Sequence, residues 1–215
     1  KDALVKAMID IKGAYSVVLA TEDRLVGFRD PMGIRPLCLG ELEGNYVLAS
    51  ESCALDTVGA KFIRDIEPGE IVIIDSNGLS SHKALYSTRR AHCIFEYIYF
   101  ARPDSTIDGT NVNRARRAMG RQLARENRVE ADIVISVPDS GTSAALGYSK
   151  ESGIPFEEGL MKNRYIGRTF IQPTQKMRDT GVRLKLNPVV ETVRGKRVIL
   201  VDDSIVRGTT SKKIV

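Results

Sequence analysis

The sequence predicts two successive folds: an antiparallel, β-rich first half and an α/β second half built on a parallel sheet. Short β-branched runs separated by turn dipeptides fill residues 15–87. From about Thr88 the pattern changes to helical spacing alternating with apolar strands. Two of those later strands run into carboxylates and then into small polar residues, and the carboxyl ends of strands are where open α/β sheets bind ligands.

Taken in order, the first half offers the strands "YSVVLA", "LVGFR", "PLCLG", "YVLAS" and "EIVIID", then "LSSHKALYS" after the Asn77-Gly78 turn. Pro68-Gly69 supplies a second turn, and short strands of this kind suggest part of a sandwich. With the change of period after about Thr88, the domain boundary is expected near residues 78–93 and is taken at 77/78. In the second half Val112, Ala115, Met119 and Leu123 share one face of a helix over 111–128, arginine-rich on its solvated side. A strand over 132–137 precedes the helix "GTSAALGYSKESG", which closes on Gly153. A further strand is expected near Ile154, and Val198–Val201 reads as a strand buried on both faces.

The chain has 215 residues, 42% of them hydrophobic, enough for one or two ordinary cores. No apolar run approaches the roughly 20 residues of a membrane span, and no leader pattern opens the sequence. Three cysteines without regular spacing argue against a disulfide framework and for a reducing, cytoplasmic setting. The net charge of +5 is modest and suits phosphorylated small molecules as well as nucleic acid. Lys1 in place of Met, and a helix cut short at Val215, read as an internal segment of a longer protein.

Three stretches carry chemistry. In "RVILVDDSIVRGTTS" the strand meets Asp202 and Asp203, whose mutual repulsion a divalent cation or a polyol would relieve. Ser204, Arg207, Gly208, Thr209, Thr210 and Ser211 follow, a low-bulk loop with hydroxyls and N–H groups suited to an anion. "VISVPDSGTSAALGY" repeats that architecture with Asp139, Ser140, Gly141, Thr142 and Ser143. Either loop alone could be an ordinary helix cap. Residues 162–187 carry seven basic side chains and one acidic one, broken by Gly167, Pro173 and Gly181. A long loop inside a compact domain is usually functional. A solvated basic loop or a nucleic-acid contact are the other readings, the latter without aromatic interleaving to support it. "FRDPMGIRPLCLG" and "ASESCALD" read as a turn and a helix start, and Cys93 in "HCIFEYIYFARPDS" as a small buried side chain among aromatics.

"VILVDDSIVRGTTS" resembles the phosphoribosyl pyrophosphate (PRPP) motif of type I phosphoribosyltransferases, and its ending "DDSIVRGTTS" is similar to that of the amidophosphoribosyltransferase family. Five blocks, in order, carry the resemblance across nearly the whole chain. It implies an N-terminal-nucleophile (αββα) glutaminase remnant over 1–77 and a type I phosphoribosyltransferase α/β fold over 78–215, both incomplete. The implied reaction hydrolyses glutamine and passes ammonia to C1 of PRPP, giving 5-phosphoribosylamine, glutamate and pyrophosphate, the first step of purine synthesis. Asp139–Ser143 and Asp202–Ser204 with Arg207–Ser211 would bind substrate, and Ser140, Asp202 and Asp203 would share Mg²⁺. Lys162, Arg164 and Tyr165 would come from a lid over PRPP. None of Cys38, Cys53 or Cys93 is a first residue, so the glutaminase nucleophile is not in this segment. In one branch of the family the position of Cys93 is one of four thiolates holding a [4Fe–4S] cluster. Purine nucleotides as feedback inhibitors and a homo-oligomer are also implied, without nucleic-acid or membrane partners. The alternatives are a PRPP-sensing regulator, which would carry a DNA-binding module instead of "FRDPMGIRPL", and a sugar-phosphate amidotransferase, which would lack "VDDSIVRGTTS".

Overall fold

The computed structural model describes residues 2–163, 165, 186–205, 208 and 211–215. The chain forms two compact units, residues 1–112 and 113–215.

The first unit stacks four layers, and strand alternation decides each of them. Helix α1 (Asp2–Asp10) covers a four-stranded antiparallel sheet in the order β1-β2-β6-β7, made of Ser16–Ala20, Leu25–Arg29, Glu70–Asp75 and Gly78–Lys83. Val26, Phe28 and Ile71 point to the helix side, where Met8 and Tyr15 complete a core. Val72 and Ile74, one residue out of phase, point the other way. There they meet a three-stranded sheet in the order β4-β3-β5, made of Asn45–Ala49, Cys38–Leu42 and Lys61–Asp65. Leu37, Leu39, Leu48 and Ile66 fill the space between the two sheets. The far face of the second sheet presents Cys38 and Val47 to Leu55 of α2 (Ser52–Val58). A single-turn π-helix (Glu96–Phe100) and a small hairpin, β8 (Thr106–Ile107) with β9 (Thr110–Asn111), complete the unit.

In the second unit β10 (Ile133–Ser136) and β13 (Val198–Val201) pair in parallel, Ile133 opposite Val198 and Ser136 opposite Val201. A parallel bridge joins Val134 to Phe156, so the strand expected near Ile154 contributes one rung. Val134 and Val201 face α3 (Val112–Glu126) and α4 (Thr142–Ser152) through Ala124, Ala145 and Tyr148. Ile133, Ile135 and Val137 face β11 (Leu160–Lys162), β12 (Leu186–Pro188), α5 (Val190–Val193) and α6 (Ser211–Ile214) through Leu160, Leu186, Val193 and Ile214.

The two longer helices of this unit meet backbone to backbone. A Cβ on Gly120 of α3 would lie 1.9 Å from the Ala144 carbonyl oxygen of α4, and one on Gly147 of α4 would lie 2.1 Å from the Arg117 oxygen of α3. Only glycine at both positions allows this approach, which holds the amino end of α4 against the sheet. Helix α4 ends where expected, with Gly153 in the left-handed region at φ 76°.

Candidate functional site

The parallel register places the carboxyl ends of β10 and β13 side by side. The Val137 N–H donates to the Val201 carbonyl at 2.9 Å, carrying the pairing one step past the strands. Gly141 then fits under the tip of β13. A Cβ there would lie 2.6 Å from the Val201 oxygen and 3.3 Å from Asp202 Cα. The structure thereby brings together the two loops that the sequence singles out.

In the first loop the Gly141 N–H donates to Val137 at 3.1 Å, and the Thr142 N–H to the Asp139 carbonyl at 3.3 Å. The Pro138–Asp139 peptide is cis. Ser136 and Thr142 share a hydroxyl hydrogen bond of 3.1 Å, and Ser143 is buried. Asp139 stands exposed and Ser140 half-buried. Lys162, at the end of β11, binds Asp139 through Nζ and Oδ2. The N-cap position of α4 is Gly141, and among the described residues no side chain caps it.

In the second loop Asp202 is half-buried and accepts the Asp203 N–H at 2.8 Å. Burial, aided by the neighbouring Asp203 carboxylate, raises the Asp202 carboxyl above its ordinary range. Asp203 accepts from the Ser204 hydroxyl. Gly208 is left-handed at φ 67°, and its carbonyl accepts the Lys212 N–H at 2.9 Å, so the chain has already turned into α6. Ser211 begins that helix. Arg164, Arg207, Thr209, Thr210 and residues 166–185 lie outside the described residues. Tyr165 is fully exposed, its N–H donating to Asn163 Oδ1 at 3.0 Å.

Among the described residues no group of three or more His, Cys, Asp or Glu gathers as a metal cage. The donors at the strand tips are hard oxygens, two carboxylates and a serine. That set suits a Mg²⁺ ion which keeps several waters and takes further ligands from a phosphorylated substrate. The cysteines differ from one another. The thiol of buried Cys38 donates to the Ala49 carbonyl, and burial, then the Asp65 charge, push it up to about 12. Burial also raises Cys53. Cys93 is half-buried, its backbone N–H donating to Ile34 at 3.1 Å.

The first-half motifs are structural in their details. Asp30 is fully buried and accepts the N–H groups of Met32 at 3.0 Å and Ile34 at 2.9 Å, so "DPMGI" is a turn wrapped around its own carboxylate. Arg29, 1% exposed, donates to the carbonyls of Arg35, Ile66 and Gly33 and takes Asp108 in a two-pronged pair at 2.9 and 2.7 Å. His92 Nδ1 lies 2.9 Å from the same carboxylate. Sequence reasoning passed over Asp108 and His92. The one local signal was Asp108-Gly109 as a hairpin turn, and no spacing rule links position 29 to position 108.

No protein-family model matches the chain. Over its whole length it is 57% identical to the amidophosphoribosyltransferase of Archaeoglobus fulgidus and 53% identical to that of Bacillus subtilis. It covers 47% and 45% of those proteins, so it spans a little under half the length of these relatives. The solved structure of the glutamine PRPP amidotransferase from B. subtilis, complexed with ADP and GMP, superposes with a TM-score of 0.90 at 52% identity, over 99% of this chain and 47% of that one. A second structure, described as the allosteric regulatory enzyme of purine biosynthesis, gives 0.91 over 99% and 46%.

Proposed function

We propose that this chain is the middle of an amidophosphoribosyltransferase, joining the closing part of a glutaminase domain to the PRPP-binding strands of a phosphoribosyltransferase domain. The identity to amidophosphoribosyltransferases along the entire chain supports the activity, and the in-register tips of β10 and β13 carry the site. Asp202 and Asp203 are poised for the ribose hydroxyls, and the Asp139–Ser143 loop for the pyrophosphate. Asp202, Asp203 and Ser140 would hold Mg²⁺, whose charge stabilises the leaving pyrophosphate. Gly208 turns the backbone so that the start of α6 faces the 5-phosphate. Lys162 adds a cation at the pyrophosphate end, with Arg164 and Tyr165 next to it in sequence.

The four-layer stacking of the first unit suits the αββα glutaminase assignment, which on this packing runs past the expected boundary at 77/78, since β7 (Gly78–Lys83) is the edge strand of the four-stranded sheet. Purine nucleotides as regulators are part of this reading, supported by a relative solved in complex with ADP and GMP. No described helix is long and apolar enough to cross a membrane. We place the protein in the cytoplasm, as a homo-oligomer. For an iron–sulfur cluster the chain offers Cys93 alone, since Cys38 and Cys53 are buried with raised pKa values. Four thiolates are needed, and this chain by itself does not build the cluster.

The test is Asp202→Asn in the full-length protein. PRPP-dependent turnover should fall about 10²-fold, the scale of losing one charge-stabilising group, while basal glutaminase activity persists. Equal loss of both activities in a folded variant would refute the assignment.

A further inference from the structure

Asp139 poses a problem for the reading just given, on which the following inference rests. A loop meant to hold pyrophosphate carries at its tip a carboxylate whose side chain is 79% exposed, and like charges repel. The structure also shows what the carboxylate holds. Lys162 Nζ sits on Asp139 Oδ2 although the two residues are 23 positions apart. The Lys162 backbone is fixed opposite Leu186 in the β11–β12 ladder, so only its four-carbon side chain has to move. We propose that Asp139 is a resting counter-ion rather than a substrate ligand: it holds Lys162 beside the pyrophosphate loop and gives the ammonium up when the anion arrives.

The exposure of the pair is what suits it to exchange. An ion pair at the surface is worth little, so a polyphosphate can outcompete it. Lysine is also the appropriate partner, a mobile point charge with rotatable donors and no planar fork to fix it on one carboxylate. A buried pair of the first unit shows the contrast. Arg29 and Asp108, with side-chain exposures of 1% and 12%, are locked by geometry and cannot serve this way. Holding Lys162 in place lowers the cost of ordering a long side chain at the moment of binding, while the pairing taxes the affinity.

The test uses full-length protein and inorganic pyrophosphate with Mg²⁺, followed by titration calorimetry. Asp139→Asn should bind about fivefold more tightly, the scale of one released surface pair, and Lys162→Ala should bind more weakly. In the Lys162→Ala background the gain from Asp139→Asn should shrink, the non-additivity of a coupled pair. Asp139→Glu keeps the charge and should bind like the native protein. Weaker binding by Asp139→Asn would make the carboxylate a ligand and overturn the proposal. So would an equal gain in both lysine backgrounds. Absence of pyrophosphate binding in the native protein itself would instead overturn the PRPP site, and this proposal with it.

Discussion

In the first unit Arg29 meets a carboxylate and three carbonyls, and Asp30 is wrapped by backbone N–H groups. In the second unit Asp202 and Asp203 stand beside each other, and the exposed Asp139 is held by one half-buried lysine. Both regions came from motifs of the same composition, with Asp, Arg, Gly and Pro or Ser at strand ends. What separates them is where the charge is satisfied. Buried charge that is fully paired within the chain supports the fold, because nothing remains for a ligand to bond. Half-buried like charges at strand tips store unfavourable energy that a ligand or cation can release.

The strongest way to break this comparison is Arg29→Met. It leaves Asp108 short of its main partner and takes the Arg29 donors from the carbonyls of Arg35, Ile66 and Gly33, and removal of one member of a buried pair costs roughly 3–5 kcal/mol. The urea midpoint of the full-length protein should fall accordingly. Arg29→Met with Asp108→Leu should recover part of the loss, because an apolar pair of similar volume carries no uncompensated charge. A single-variant loss below about 1 kcal/mol would show that the pair is no more important than a surface bridge.

Legibility in the sequence followed the range of each interaction. The strands and the two loops of the second unit were readable because apolar runs and the residues after them are local signals, and Val198–Val201 is the strand observed. Of its four residues only Val201 is buried and Val198 is exposed, not the burial on both faces that its apolar run suggests. Helix α3 falls within its expected span, shortened at both ends to Val112–Glu126. Strand β5 went unread because "KFIRD" mixes charge with apolar residues, its first three exposed and its pairing with β3 long-range. The expected boundary at 77/78 falls just before β7 (Gly78–Lys83), a strand of the first unit, whereas packing divides the chain after Val112. Between them, Cys93 and Ala91 bond back to Ile34 and Met32, contacts with no sequence period to announce them. The Arg29–Asp108 clasp was unreadable for the same reason.

In the second unit α3 and α4 meet through their backbones, and Gly120→Ala tests that contact. A methyl group 1.9 Å from the Ala144 oxygen forces α3 and α4 apart, an overpacking cost of roughly 1–3 kcal/mol. In an uncrowded helix the same change would stabilise by about 1 kcal/mol. A raised thermal midpoint in this variant would mean that the helices do not meet as closely as described.

The smallest expected effect concerns Asp65, which departs from the rule for the first unit. It is a half-buried carboxylate that the Asp108 backbone N–H and the Arg29 charge only partly satisfy. Burial, and then the Asp108 charge, raise it from 3.8 to about 6, against the pull of Arg29. A folded-state value above the unfolded one means that the fold prefers the protonated acid. The stability this group contributes is therefore fully present below 3.8 and is lost as pH rises through about 6. Asp65→Asn keeps the shape without the charge. It should stabilise the protein at pH 7.5 by roughly 1–2 kcal/mol, allowing for solvent screening at this site. At pH 4 the gain should be close to zero, since the native acid is then already protonated in the fold. Asp108 moves the other way: burial raises it, but the bond and charge of Arg29 outweigh that and hold it below the usual range. For that reason the midpoint of native protein alone would mix two opposite trends, and the difference between variant and native at each pH is the quantity to measure. An equal gain at both values would place the effect in packing, and Asp65 would then belong with the satisfied charges around it.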